Sequence, residues 1–272
     1  MFKAFNLQGF DEKFVAPEDR EAYVRKGRES TAAGKTAVTE ALKTIASSDA
    51  VLDGQQIQDG WFPNVEADVM LSHSHRDENA VLLLAGWLSH NFGIKPFVDS
   101  SIWGYAGDLL RMIDNTYCRN PDGETYSYEL RNQSTSHVHM LLTTALGMMI
   151  HKTECLILVN TPSSIATKEV VKTQTFSPWI YAELTMAGIV EEVEPQRRLD
   201  EERELTTNRR MAKAAAEKEL KVIHTVRNMS RFRRIDPSVL RTWEVGCGGT
   251  KGQETLDILY KLSVSGDDVI YE

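Results

Sequence analysis

Cysteine is scarce. Three residues, Cys118, Cys155 and Cys247, stand far apart in a chain of 272 residues, with no Cys-x-x-Cys among them. An odd, scattered set indicates neither a disulfide framework nor a cysteine zinc site, and reduced thiols of a cytoplasmic protein satisfy the pattern. Long apolar runs are also missing. No stretch approaches the roughly 18 residues that a membrane span needs, and "MFKAFNLQGFDEKF" carries acids where a signal peptide needs an apolar core. The expectation is a chain that is neither exported nor held in a membrane. Basic residues are the minority, 31 Lys and Arg against 39 Asp and Glu, giving a formal charge of -8 and a pI near 5.5. A nucleic-acid binder relying on a broad basic surface is thereby disfavoured. No internal repeat is visible either, so a solenoid or propeller is not indicated. What is present is a hydrophobic content of 42%, enough for a proper core.

The polarity changes along the chain. Residues 1–66 are polar and helix-like, with "TAVTEALKTIASS" at helical spacing before the turn-rich "DGQQIQDGWFPN", and they read as an N-terminal helical extension. From 67 the pattern alternates. "DVMLS" is a short buried strand, "DENAVLLLAGWLSHNFG" an amphipathic helix closed by Gly93, and "IKPFVDS" a second strand. A helix "SHVHMLLTTALGMMIHK" leads to "ECLILVN", whose unbroken apolar run fits a central parallel strand covered on both faces. "TMAGIVEEVE" is expected as a fourth strand, a charged helix as spanning about 198–219, and "LKVIHTV" as a fifth strand. Residues 231–272, with "PSVLRTW" and "GQETLDILYKL" joined by "GCGGTKG", read as a C-terminal helical extension. The expected fold is α/β: an open, mainly parallel five-stranded sheet with helices on both faces, its active residues beyond the carboxyl ends of the strands.

Four segments bear on chemistry. "GRESTAAGKT" ends as a phosphate loop does, but the glycine required five positions before Gly34 is Glu29, and no strand precedes it. It reads as a helix-entry segment. "SHSHRDE" places His73, His75 and Asp77 after a strand in the order used by zinc hydrolases, while Ser74 or Asp77 could equally cap the helix beginning near Glu78. Capping is the preferred reading. "FVDSSIW" sets Asp99 at a strand end with Trp103 just beyond. In "TFSPWIYAEL", Ser177 and Pro178 mark a helix start, and the spacing of four puts Trp179 and Glu183 one turn apart on one face beside Phe176.

Taken in order, "DVMLSHSHRDE", "FVDSSIWGY", "ECLILVNT" and the W-x-x-x-E of "SPWIYAE" resemble the Toll/interleukin receptor (TIR) domain, in the form found in bacterial antiphage proteins such as the Thoeris sensors. The resemblance covers about residues 67–230 and implies a flavodoxin-like sheet. It implies Glu183 as the catalytic acid of NAD cleavage at the nicotinamide–ribose bond, with Ser74, His75, Asp99, Trp103, Phe176 and Trp179 around the NAD site. NAD is then the substrate, with no further cofactor and no metal. The product is expected to be a cyclic or conjugated ADP-ribose signal in antiviral defence, made by a homo-oligomer and sensed by a separate effector. The alternatives are a non-catalytic TIR scaffold acting by assembly and a zinc-dependent hydrolase using the H-x-H-x-D loop. The insertion "YCRNPDGETYSYELRNQSTSH" is long for a compact TIR domain, and the residues after about 230 have no counterpart in the minimal fold.

Overall fold

The structure, a computed structural model, describes residues 1–46, 53–103, 106–165, 174–175, 177–198, 224–226 and 229–263, with side chains of the first long helix described as far as Thr31. Its elements run Lys3–Gln8 (β1), Pro17–Ala46 (α1), Gly54–Trp61 (α2), Val69–Ser72 (β2), Glu78–Phe92 (α3), Pro96–Phe97 (β3), Asp99–Ile102 (α4) and Ala106–Tyr117 (α5). Then follow Tyr128–Lys152 (α6), Cys155–Asn160 (β4), Gln174–Thr175 (β5), Pro178–Ile189 (α7), His224–Thr225 (β6), Phe232–Ile235 (β7), Pro237–Gly246 (α8) and Glu254–Leu262 (α9).

Five strands form one open, all-parallel sheet in the order β3-β2-β4-β1-β7. Alternation along each strand sends side chains to two separate cores. Ala4, Met70, Leu156 and Leu158 join one core with Trp61 of α2, Leu109 of α5, Leu146 of α6 and Leu184 of α7. Phe5, Leu7, Leu71, Ile157 and Val159 join the other with Leu84 of α3, Trp243 of α8 and Leu259 of α9. Burial on both faces explains why β4 is an unbroken apolar run. Outside the second core, α1 crosses α3 at Gly27 and Gly86. A Cβ on either glycine would overlap the facing helix backbone, at the carbonyl of Leu82 or of Tyr23. Gly27, met in the sequence as the start of a false phosphate loop, lies in the middle of α1 rather than at a helix entry, where it lets two helices touch.

The strands are not all the expected ones. Residues 1–66 are not purely helical: "KAFNLQ" is β1, paired on both sides with β4 and β7. Flanking acids and a polar surrounding hid a strand only six residues long. Likewise β7, "FRRI", lies in the segment read as a C-terminal helical extension, its two arginines masking a half-buried strand. "TMAGIVEEVE" is no strand. Its first residues finish α7, where Ile180, Leu184 and Ala187 make the buried stripe, and the place beside β4 is already filled by β1. Of "LKVIHTV", residues 220–223 lie outside the described residues, and His224–Thr225 pairs antiparallel with β5 in a separate two-stranded ribbon. The charged helix expected over 198–219 falls outside them too, apart from Arg198. The expected β2, α3, β3, β4 and the two last helices are present.

The amino end of β4 is closed by charge: Arg197 donates to Glu154 at 2.5 and 2.8 Å and to Asp257 of α9 at 2.8 Å. The carboxyl ends are more open. From β2 the chain steps outward to β3 and then back across to β4, so the strand order reverses between β2 and β4, where an open α/β sheet leaves a crevice. Among the described residues no helix is long and apolar enough to cross a membrane.

Candidate functional site at the carboxyl ends of the strands

The helix α7 starts as its sequence dictates. Ser177 accepts from the Ile180 N–H at 3.3 Å and Pro178 takes the first helical position. The stripe that turns Ile180 and Leu184 into the core carries Glu183 with it. Only 3% exposed, Glu183 accepts a hydrogen bond from Ser72 Oγ, the last residue of β2, at 2.5 Å. Burial pushes its carboxyl well above the usual range, the nearby Asp99 charge pushes it further, and the Ser72 hydroxyl acts the other way. Glu183 thus holds its proton more tightly than a carboxyl in water does.

Past β2, Ser74 accepts from the Arg76 N–H at 3.4 Å and caps a short turn over His75–Asp77. Asp77 precedes α3 without a side-chain capping bond and instead accepts from Thr161 Oγ1 at 2.6 Å, tying the ends of β2 and β4 together. His73 is buried. Its Nδ1 lies 3.2 Å from the Leu71 carbonyl and 3.8 Å from Asp99 Oδ1, and its Nε2 lies 3.1 Å from Ser100 Oγ. The rings of His73 and His75 meet edge to face, 6.2 Å between centroids. Both nitrogens of His73 therefore face protein groups, and among the described residues no three His, Cys, Asp or Glu side chains gather as a metal-binding group.

In front of these residues lies a cleft of about 280 Å³, lined by His75, Asp99, Trp103, His139, Leu142 and Trp179 among others. Four residues expected around the site, His75, Asp99, Trp103 and Trp179, are thus brought to one cavity. Glu183, one turn beyond Trp179, is not in the lining. Trp103 gives the cavity little more than an edge, being 1% exposed, with Nε1 donating to the Pro63 carbonyl at 3.1 Å and its ring against Phe62 and Phe97. Trp179 is half-buried and meets His139 of α6 edge to face at 5.1 Å. Ser74 serves the turn rather than the lining, and Phe176 lies outside the described residues.

The sequence reading missed Ser72, His73 as a hydrogen-bonding group, Ser100 and His139. Ser72 and Ser100 carried a signal, since each sits at or just past the end of a strand. His139 carried none, because the fold alone brings α6 beside α7. A larger groove of about 400 Å³ lies between α1 and α3 on the opposite face of the sheet, with Arg20, Arg25 and Arg28 in its lining.

No protein-family model, curated protein or solved structure matches the chain.

Proposed function

We propose that the chain cleaves NAD at the nicotinamide–ribose bond, with Glu183 as the acid on which cleavage depends. The observation that carries this is a buried carboxyl at the crevice end of the sheet, held by Ser72 at 2.5 Å beside an aromatic-walled cleft. Nicotinamide leaves as a neutral molecule from a cationic ring, so no general acid is required. The growing positive charge at C1' needs a carboxylate, as in glycoside cleavage. A cationic ring entering beside Glu183 and Asp99 favours the ionised carboxylate, so the substrate itself draws off the proton that burial holds on Glu183. Trp179 and His139 supply faces and edges for the nicotinamide, and the small cavity limits water. Exclusion of water favours an ADP-ribose-derived cyclic or conjugated product over plain ADP-ribose. The resemblance to antiphage TIR proteins supports a signalling role for that product, read by a separate effector, with a cytoplasmic homo-oligomer as the working form.

Incubation of the purified chain with NAD, with and without lysate of phage-infected cells, and mass spectrometry of the products tests the reading. Glu183→Gln keeps the size but removes the charge, and a loss of about 10²-fold or more in rate is expected. Wild-type rates in a folded Glu183→Gln protein would refute the assignment. One observation favours a second reading: at 3% exposure Glu183 also acts as a tie between α7 and β2. A non-catalytic scaffold then explains it, and NAD stays intact under every condition.

A further inference from the structure

The hydroxyl of Ser100 has an arrangement that NAD cleavage by Glu183 does not use. His73 Nε2 lies 3.1 Å from Ser100 Oγ, and Nδ1 of the same ring faces the Leu71 carbonyl at 3.2 Å and Asp99 Oδ1 at 3.8 Å. With the ring hydrogen on Nδ1, held by that carbonyl, Nε2 can only accept, and the proton it accepts is that of Ser100. Nucleophile, base and orienting groups are the three parts of an activated hydroxyl. The position adds to this. Asp99, next in the chain to Ser100, lines the cleft and its charge acts on Glu183, and His73 stands between Asp99 and the hydroxyl, so the Ser100 side chain lies behind the cleft wall rather than in its lining. Ser100 is 8% exposed, buried but not sealed. Beside it Ser101 Oγ is buried with no hydrogen-bond partner among the described residues, leaving a hydroxyl donor for an oxygen of a bound ligand.

Resting on the NAD reading, we propose that Ser100 is a site of self-modification: its Oγ captures the ribosyl C1' and becomes an O-linked ADP-ribosyl serine. The C1'–N bond breaks, and its electron pair stays on the nicotinamide nitrogen, which leaves neutral. The Oγ–C1' bond forms as the Oγ–H proton passes to His73 Nε2. The positive charge lost by the pyridinium reappears on the imidazolium, facing Asp99. Nothing is oxidised or reduced. A serine alkoxide is a poor leaving group, so the adduct persists rather than turning over.

The test is intact-protein mass spectrometry of the full chain after exposure to NAD under activating conditions, with peptide mapping. One ADP-ribosyl group per chain on Ser100 is expected, absent in Ser100→Ala and reduced at least tenfold in His73→Asn. NAD consumption without any adduct on Ser100 would overturn the self-modification and leave the NAD reading standing. If the wild type never consumes NAD, that reading falls and the ADP-ribosyl assignment with it. Labelling by a fluorophosphonate then decides the nucleophile alone: a serine phosphonate at Ser100 that His73→Asn abolishes upholds the activated hydroxyl, and an unlabelled Ser100 removes it. Melting temperatures of the variants, compared with wild type, separate loss of reaction from loss of fold.

Discussion

At the scale of single residues, Glu183 is held in a state that disfavours its charge. Its folded pKa lies well above the ordinary 4.5, through burial first and Asp99 second. The folded protein therefore binds this proton more tightly than the unfolded chain. The stability it contributes is complete below 4.5 and is lost as pH rises through the folded value. Glu183→Gln removes that dependence. Its melting temperature should exceed that of wild type at neutral pH, with the gap closing as pH falls toward 4.5, which thermal melts across that range would show. A gap that widens on acidification would contradict the assignment. Asp99→Asn acts on the same equilibrium from outside. Removing the like charge lowers the Glu183 pKa, so the acidic limb of NAD cleavage should move to lower pH, as a pH–rate profile can show.

At the scale of elements, the crossing of α1 and α3 is decided by two glycines. Because Gly27 and Gly86 face each other's helix backbone, neither contact can be relieved by a side-chain rotation. Gly27→Ala must push α1 outward, at a cost of about 3 kcal/mol, the upper end for overpacking. Urea unfolding measures it, and a variant within 0.5 kcal/mol of wild type, roughly the scatter of surface substitutions, would mean that the helices do not meet there. Elements also differ in how plainly the sequence announced them. The start of α7 was legible because Ser177 and Pro178 are chemical signals with one meaning at a helix start. β4 was legible because burial on both faces leaves six residues without a charge. β1 and β7 were not, since strands of six and four residues with Lys3, Arg233 and Arg234 in them look like surface segments until their partners are known. The same holds within the site. Spacing on one helix put Trp179 with Glu183, and strand-end position marked Ser72 and Ser100, but only packing gave their partners and brought His139 of α6 against Trp179 of α7.

At the scale of the whole molecule, the sheet is complete only with strands from both sides of residues 67–230. In a flavodoxin-like sheet the order is 2-1-3-4-5. Here β2, β3 and β4 occupy the first three places of that series, while β1 and β7 fill the fourth and fifth. Residues 67–230 alone thus lack two strands. Deletion of residues 1–8 removes Phe5 and Leu7 from the second core and bares the edges of β4 and β7. Such a chain should lose its cooperative melt and aggregate through the bared edges. A monomeric, cooperatively melting deletion protein would show that β1 is dispensable.

The place of β1 between β4 and β7 also sets a timetable. In synthesis β1 leaves the ribosome well before either neighbour, because Lys3 pairs with Cys155 and Ala4 with Phe232. At roughly 5–20 residues per second, the segment from Phe2 to Phe10 waits on the order of ten seconds or more with its aromatic rings uncovered. Parallel pairing over such separations is slow even when both strands are available. The uncovered segment is therefore an expected target for holding chaperones during translation, and the sheet that supports Glu183 closes only after Phe232–Ile235 have been made.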